Sequence, residues 1–228
     1  MTKILVKEKS IVVPGEILAI GMDYLPSRGT FREKENIISS IVGTFKLDAR
    51  LIKVIPLNGK YEPKRNDMVI GKVVNIGHNG WMVDIGYPFN VGISLKEGSR
   101  DFIPNSANLK DYYDIGDLIV GKVIQIRNPK IIDISMTFPG CRKLIGGRII
   151  KVESSRVPRI IGREGSMVKM LKEETGCEIK IGQNGLVWIS GPDPKSEYRA
   201  AIAIKKINNE ATTEGLTDII KKFLGDNK

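Results

Sequence analysis

The chain has 228 residues, of which 41% are hydrophobic and 27% charged, a composition typical of a folded protein rather than of a disordered tail. Lysine and arginine outnumber aspartate and glutamate by 36 to 26, and the net charge of +10 points to a polyanionic partner. No apolar run approaches the roughly 18 residues that span a bilayer. Because Lys3, Lys7 and Lys9 fall where a signal peptide would be apolar, we expect a cytoplasmic protein.

The two cysteines and the single histidine exclude several kinds of site. Cys141 and Cys177 are 36 residues apart with no CxxC motif, and His78 has no cysteine or carboxylate at ligand spacing. A zinc finger, a zinc ribbon and a disulfide scaffold are therefore excluded. We expect no metal and no cofactor.

Two turn-rich seams divide the chain into three predicted domains, 1–65, 66–138 and 139–228, with net charges of +5, −1 and +6. Half of the aromatic residues lie in the middle domain, where the charge is lowest. A binder of single-stranded nucleic acid needs both a positive field and flat faces for base stacking. These aromatic residues fit either a stacking surface or a barrel core, and both interpretations stay open.

The first two domains are predicted to consist of short strands. Strands at 11–13, 16–20, 37–42 and 51–55 indicate a small β-barrel or sandwich with no catalytic residues, a scaffold or docking piece. In the middle domain, Trp81, Val83 and Ile85 alternate with Met82 and Asp84, as in a strand with one buried face. Five such strands with a long loop at 96–110 predict an OB-fold, whose open face binds oligonucleotides. The five predicted strands are 68–76, 81–85, 91–95, 116–126 and 130–135.

The last domain has the predicted order β-α-α-β-β-α. We expect a strand at 147–152, a helix capped by Ser154 or Ser155, a second helix capped by Ser166, and a hairpin joining 177–181 to 186–190. Asp193 and Pro194 would open a last helix. Its apolar positions would include Tyr198, Ala201, Ile202 and Ile204. A further helical stripe, expected to pack on this same domain, comprises Leu216, Ile219, Ile220, Phe223 and Leu224.

A GxxG motif, Gly162–Gly165, joins the two adjacent helices of this domain. Two glycines let a loop approach a nucleic-acid backbone closely, and the N–H groups that open the following helix can face a phosphate. Arg163 contributes a positive charge to the loop, and Glu164 contributes a negative charge. Together, the element order β-α-α-β-β-α and the GxxG motif predict a KH domain of type I. The whole chain is predicted to be mainly β with an α+β C-terminal domain.

The domain order resembles that of the RNA-binding cap subunits of the archaeal exosome. The resemblance is most specific at four stretches: 12–16, 57–71, 80–85 and 162–165. It implies a non-catalytic protein whose three copies sit on a hexameric ring of RNase PH-like subunits, anchored largely by the N-terminal domain. It also implies capture of single-stranded RNA for 3′-to-5′ degradation, a preference for A-rich tails, and association with the zinc-ribbon cap subunit.

The middle domain departs from this family at one point. OB domains of this type often present a Phe-Gly-x-Phe platform with a histidine on the next strand, whereas this chain has Asn79-Gly-Trp-Met82. Base stacking would then fall to Trp81 or Phe89. The candidate RNA-binding residues of the OB domain are Trp81, Phe89, Lys96, Arg100, Lys122 and Arg127, and those of the KH loop are Ile161, Gly162, Arg163, Glu164, Gly165 and Lys169.

Two other functions remain open from the sequence. A nuclease or phosphorolytic enzyme would need a cluster of carboxylates, and no such two-metal pattern is present in the sequence. A free-standing RNA-binding factor in translation or RNA chaperoning would share the same modules and would form no stable large complex.

Overall fold

The computed structural model describes residues 3–57, 59–210 and 215–225, and it divides into two compact units, Met1–Gly59 and Lys60–Lys228. The three-domain division 1–65, 66–138 and 139–228 stays a prediction. The fold class is confirmed: the chain is mainly β, with a five-stranded OB-like barrel and a KH fold with its helices in the C-terminal region.

The first unit consists of eight strands in two four-stranded sheets. The strands are β1 (Lys3–Ile4), β2 (Ile11–Val12), β3 (Ile17–Ile20), β4 (Leu25–Pro26), β5 (Thr30–Glu33), β6 (Asn36–Ser39), β7 (Gly43–Asp48) and β8 (Leu51–Pro56). The strand orders of the two sheets are β1-β3-β6-β5 and β2-β7-β8-β4. The predicted strand at 37–42 ends at Ser39, because the buried Ser39 hydroxyl donates to the Ile41 carbonyl at 2.7 Å and the chain turns there. A separate strand then begins at Gly43.

The second unit begins with a closed barrel. Its last strand, β13 (Ile131–Ser135), pairs antiparallel with β12 (Leu118–Asn128) and parallel with β11 (Val91–Ser94), which closes the sheet on itself. The long loop between β11 and β12 contains a short helix, α1 (Leu95–Gly98), and a 3-10 turn at Leu109–Asp111. The barrel strands are β9 (Met68–Gly77), β10 (Gly80–Asp84), β11 (Val91–Ser94), β12 (Leu118–Asn128) and β13 (Ile131–Ser135), and β14 (Arg142–Leu144) adds to the edge of β12.

The KH fold follows in the predicted order, with helices covering an antiparallel sheet. The strands of this sheet are, in spatial order, β15 (Arg148–Lys151), β17 (Leu186–Ser190) and β16 (Glu178–Ile181). The C-terminal helix packs on this fold as predicted, since Leu216, Ile220 and Leu224 are buried in the same cluster as the residues of the KH core. None of the helices in the described ranges is long and apolar enough to cross a bilayer. The elements are β15 (Arg148–Lys151), α2 (Val157–Ile161), α3 (Ser166–Thr175), β16 (Glu178–Ile181), β17 (Leu186–Ser190), α4 (Pro194–Asn209) and α5 (Leu216–Gly225).

Three local predictions in the KH fold are corrected. Ser154 begins a 3-10 turn whose cap position is Glu153, so neither Ser154 nor Ser155 is the N-cap of α2. Ser166 is the first residue of α3 rather than its cap, because Gly165 occupies the cap position in a left-handed conformation. Tyr198 is 59% exposed. The small residues Ala200 and Ala203 are buried on α4 instead, which lets the helix lie close to the sheet.

The β16–β17 hairpin joins the KH fold to the barrel. The side-chain amide of Asn184 donates to the carbonyls of Ile70 and Ile85 at 2.7 and 2.8 Å, and its oxygen accepts from the Ile70 N–H at 3.2 Å. The backbone N–H of Gln183 donates to the Met68 carbonyl at 2.7 Å. A small hydrophobic cluster packs beside these bonds, so the second unit is held together by buried contacts. Its buried residues are Ile70, Val120, Leu144 and Trp188.

Candidate nucleic-acid interface

The GxxG loop lies at the surface between α2 and α3. Gly162 has a φ of 77°, and a Cβ at this position would lie 2.8 Å from the backbone nitrogen of Met167, so only glycine fits. Gly165 also has a positive φ, 79°. The side chains of Arg163 and Glu164 are exposed at the tip. The loop therefore presents bare backbone, one arginine and one glutamate to solvent.

The positive charges of the loop are available to an anion. Arg163 forms no ion pair with any carboxylate in the described part of the chain. Lys169 lies 3.9 Å from Glu173, but the two side chains are 78% and 66% exposed, so the pair is weak and easily exchanged for a phosphate. Ile161 is half-buried against the KH core and anchors the loop, which makes it a supporting residue. The structure thus brings the six predicted loop residues together.

Trp81 cannot stack on a base, which corrects its assignment as a stacking residue. Its side chain is 1% exposed, and its indole N–H donates to the carbonyls of Leu109 and Tyr113 at 3.2 and 3.0 Å. The ring packs edge-on against Tyr113 with centroids 5.2 Å apart. Trp81 therefore fills the barrel and ties the 96–110 loop to it, because an indole buried with a satisfied N–H is part of the core.

An exposed aromatic patch, defined here as Tyr87, Phe89 and Lys130, lies elsewhere on the barrel. Phe89 is 39% exposed, and its ring centroid is 6.2 Å from that of Tyr87. The Lys130 ammonium lies 5.8 Å from the Phe89 ring. A flat ring beside a cation is the combination that holds a base and its phosphate. Sequence reasoning named Phe89 but missed Tyr87 and Lys130 as its neighbours.

Of the other four basic candidates of the barrel, Arg100 and Lys122 lie close together, whereas Arg127 lies apart from Lys122. Lys122 and Arg127 are both on β12, about 16 Å apart at 3.3 Å per residue. Lys122 lies 4.3 Å from the Phe138 ring, and the Arg100 Nε donates to the Thr137 carbonyl at 3.0 Å. Arg127 is paired with Asp133 at 3.1 Å, whereas Lys96 is exposed. The structure therefore brings Arg100 and Lys122 to the same part of the barrel, beside Thr137 and Phe138.

The cysteine, histidine and carboxylate side chains of the described residues form no metal-binding cluster and include no thiol whose pKa is lowered. Within the described ranges, no three His, Cys, Asp or Glu side chains converge in a way that could hold a metal ion. Burial raises the pKa of the Cys141 thiol and also that of the Cys177 thiol. A raised thiol pKa keeps the sulfur protonated at neutral pH, and a protonated sulfur is a poor nucleophile.

Both thiols are therefore expected to alkylate more slowly than free cysteine when the native protein is treated with iodoacetamide at pH 7.5. A time course by mass spectrometry measures this rate, and the same reaction in urea, where both should react fully, is the control. Alkylation of native Cys141 at the rate of free cysteine would contradict the raised pKa.

The chain is similar to known proteins over nearly its whole length. Family models match at residues 147–206, described as a KH domain, and at residues 11–48, described as the exosome complex exonuclease RRP4 N-terminal region. The exosome complex component Rrp4 of Methanothermus fervidus is 45% identical over 96% of this chain and 96% of its own length. The chain belongs to the Rrp4 family. The Pyrococcus horikoshii Rrp4 is 42% identical over 98% of this chain and 85% of its own length.

A solved structure agrees with this Rrp4-family fold. The crystal structure of a protein assigned provisionally as an exosome complex RNA-binding protein superposes with a TM-score of 0.65 at 33% identity, covering 74% of this chain and 97% of its own. In this Rrp4-family chain, the KH match includes the GxxG loop. The N-terminal match runs from the start of β2 to the end of β7.

Proposed function

We propose that this chain is an RNA-binding component of the archaeal exosome that captures single-stranded RNA and does not cut it. The observation that carries the proposal is the exposed GxxG loop, whose Arg163 has no ion-pair partner among the described residues, in a chain that matches proteins named exosome components over nearly its whole length. Two glycines allow the RNA backbone to come close, and Arg163 supplies the charge that meets it. The aromatic patch would hold a base of the same kind of ligand.

The first unit would dock the protein on the RNase PH-like ring, with three copies forming a trimeric cap. More than half of the exposed large apolar side chains in the described ranges lie in this unit. On the outer face of the β2-β7-β8-β4 sheet, Ile11, Thr44 and Ile55 form one cross-strand row, in which the two isoleucines are 65% and 48% exposed. Leu25 and Leu51 form another exposed pair on this sheet. Exposed apolar surface of this kind is typical of a protein interface.

The ring would then carry out the 3′-to-5′ degradation, and this chain would feed RNA to it. The family resemblance supports a preference for A-rich or poly(A) substrates and a shared ring position with the zinc-ribbon cap subunit. The native mass of the protein drawn gently from its source cells tests the assembly. A large complex with RNase PH-like subunits supports the proposal, whereas a lone chain or a ribosome-sized companion would favour a free-standing RNA-binding factor.

Removing both charges of the KH loop, in the double variant Arg163→Met and Lys169→Met, is expected to weaken single-stranded RNA binding about tenfold at low salt. If each residue neutralises one phosphate, the slope of log K against log salt should fall by up to about 1.4, since each phosphate contributes roughly 0.7 for single strands. Fluorescence anisotropy with labelled RNA over a salt series measures both quantities.

The matched control removes two exposed charges from α4, in the double variant Lys195→Met and Lys205→Met. It has the same net charge as the loop variant and should keep nearly all of the salt slope. Equal losses in the two variants would mean that net charge alone attracts the RNA. An unchanged salt slope in the loop variant would mean that the KH loop does not bind the RNA phosphates.

Charging the outer sheet face, in the double variant Ile11→Asp and Ile55→Asp, is expected to weaken association with the ring at least about tenfold. Two carboxylates would have to be buried without partners at the interface, which is strongly unfavourable. Co-elution with recombinant RNase PH-like subunits by size-exclusion chromatography measures the association, and RNA binding by the free chain should not change.

Met22→Asp is the control for this surface, because Met22 is 69% exposed in the same unit but lies outside the β2-β7-β8-β4 sheet. It should co-elute like the unmodified chain. Co-elution of the double variant at full occupancy would rule out this sheet face as the docking surface. Circular dichroism of each variant would verify that the first unit remains folded.

A further inference from the structure

The GxxG loop forms one wall of a cleft whose other wall is the start of the C-terminal helix. The cleft has a volume of about 300 Å³. It lies between α2, the loop and the first turn of α3 on one side and α5 on the other. The lining residues are Arg159, Gly162, Arg163, Ser166, Met167, Gly215, Leu216 and Thr217.

The chemistry of the cleft favours a nucleotide. The only charged residues that line it are Arg159 and Arg163, so in the described part of the chain its walls carry two positive charges and no negative one. Ser166 and Thr217 add hydroxyl groups that can donate to or accept from a sugar or phosphate. The volume is at the lower end of the roughly 300–1,000 Å³ of small-molecule sites, which suits a single nucleotide unit.

The position of α5 is fixed by packing rather than by the loop. Leu216, Ile220 and Leu224 are buried in the KH core, and the Arg199 side chain donates to the Leu224 carbonyl at 2.9 Å. The first turn of α5 is therefore held at a fixed place beside the loop. Thr217 is exposed there, on the side that lines the cleft.

We propose that α5 is part of the RNA-binding surface, and that the cleft between Thr217 and Arg163 takes one phosphorylated nucleotide unit of a single-stranded RNA. This inference rests on the proposed function, since it adds the start of α5 to the RNA-binding surface of the KH loop. Arg163 would meet the phosphate, and Thr217 would contact the sugar or the adjoining phosphate. A helix that only completes the KH core would make no such contact.

Thr217→Glu tests the proposal, because it places a negative charge in the cleft on a residue outside the loop. RNA affinity should fall about tenfold by anisotropy at low salt, while Thr217→Lys should bind more tightly than the unmodified chain. The matched control is Asn209→Glu, an exposed position at the end of α4 that does not line the cleft and that changes the net charge equally. It should retain most of the affinity.

A second measurement does not depend on a change in affinity. Benzoylphenylalanine at position 217 should cross-link to RNA under ultraviolet light, and the same group at position 209 should not. If the Arg163 and Lys169 variant loses affinity while Thr217→Glu and the cross-link show no effect, the cleft proposal is overturned and the proposed function stands. If neither the loop variant nor Thr217→Glu alters RNA binding, the KH loop does not bind the RNA, and both the cleft proposal and the proposed function fail.

Discussion

Replacing Asn184 with alanine is expected to lower the free energy of unfolding of the second unit by about 3–4 kcal/mol. The side chain is 7% exposed and makes three hydrogen bonds to the backbone of Ile70 and Ile85. Alanine would leave two carbonyls and one N–H without these partners, and each buried unsatisfied group costs about 1–3 kcal/mol, less where water can reach it. Urea denaturation followed by tryptophan fluorescence measures the loss.

Fluorescence suits this experiment because both tryptophans of the chain, Trp81 and Trp188, lie in the second unit. One is in the barrel core and the other in the cluster shared with the KH sheet. Gln183→Ala is the control, since Gln183 bonds to the barrel through its backbone N–H, which the substitution keeps. It should cost less than about 1 kcal/mol. An Asn184→Ala loss no larger than that of the control would contradict a structural role for the amide.

The second large effect concerns two aromatic residues, Trp81 and Phe89. We expect Trp81 to stabilise the barrel and Phe89 to contact RNA. Trp81→Ala is expected to destabilise the barrel by about 3–5 kcal/mol, the range for removing a fully buried aromatic ring. Phe89→Ala should leave the unfolding free energy nearly unchanged, because the ring is 39% exposed on the aromatic patch. It should instead weaken RNA binding by about 1 kcal/mol, or roughly fivefold, as loss of one stacked base does. Denaturation and anisotropy separate the two roles.

Phe102→Ala is the matched control for the patch. Phe102 is the same residue type, 87% exposed on the 96–110 loop, and it makes none of the contacts with Tyr87 and Lys130 that define the patch. It should change neither stability nor RNA affinity. A loss of RNA binding in Phe102→Ala but not in Phe89→Ala would assign the stacking to the loop and overturn the aromatic patch.

Much of the architecture could be predicted from local patterns. The alternation of Trp81, Val83 and Ile85 with Met82 and Asp84 correctly indicates a strand with one buried face, since side chains along a strand point alternately to its two sides. Asp193 accepts from the Ser196 N–H as an N-cap should, and Gly176 ends α3 in a left-handed conformation. These features depend on residues a few positions apart, which the sequence displays directly.

The surroundings of the candidate site could not be predicted in the same way. Sequence alone determined the barrel, the KH order, the GxxG loop and the excess of positive charge, because each is a local pattern or a sum over residues. Only the tertiary structure decided that Trp81 is core, that Lys130 lies beside Phe89, and that α5 faces the GxxG loop. Asn184 bonds to a residue 114 positions away. Such contacts arise from the packing of separate elements, and the periodicity of residues within one element does not predict them.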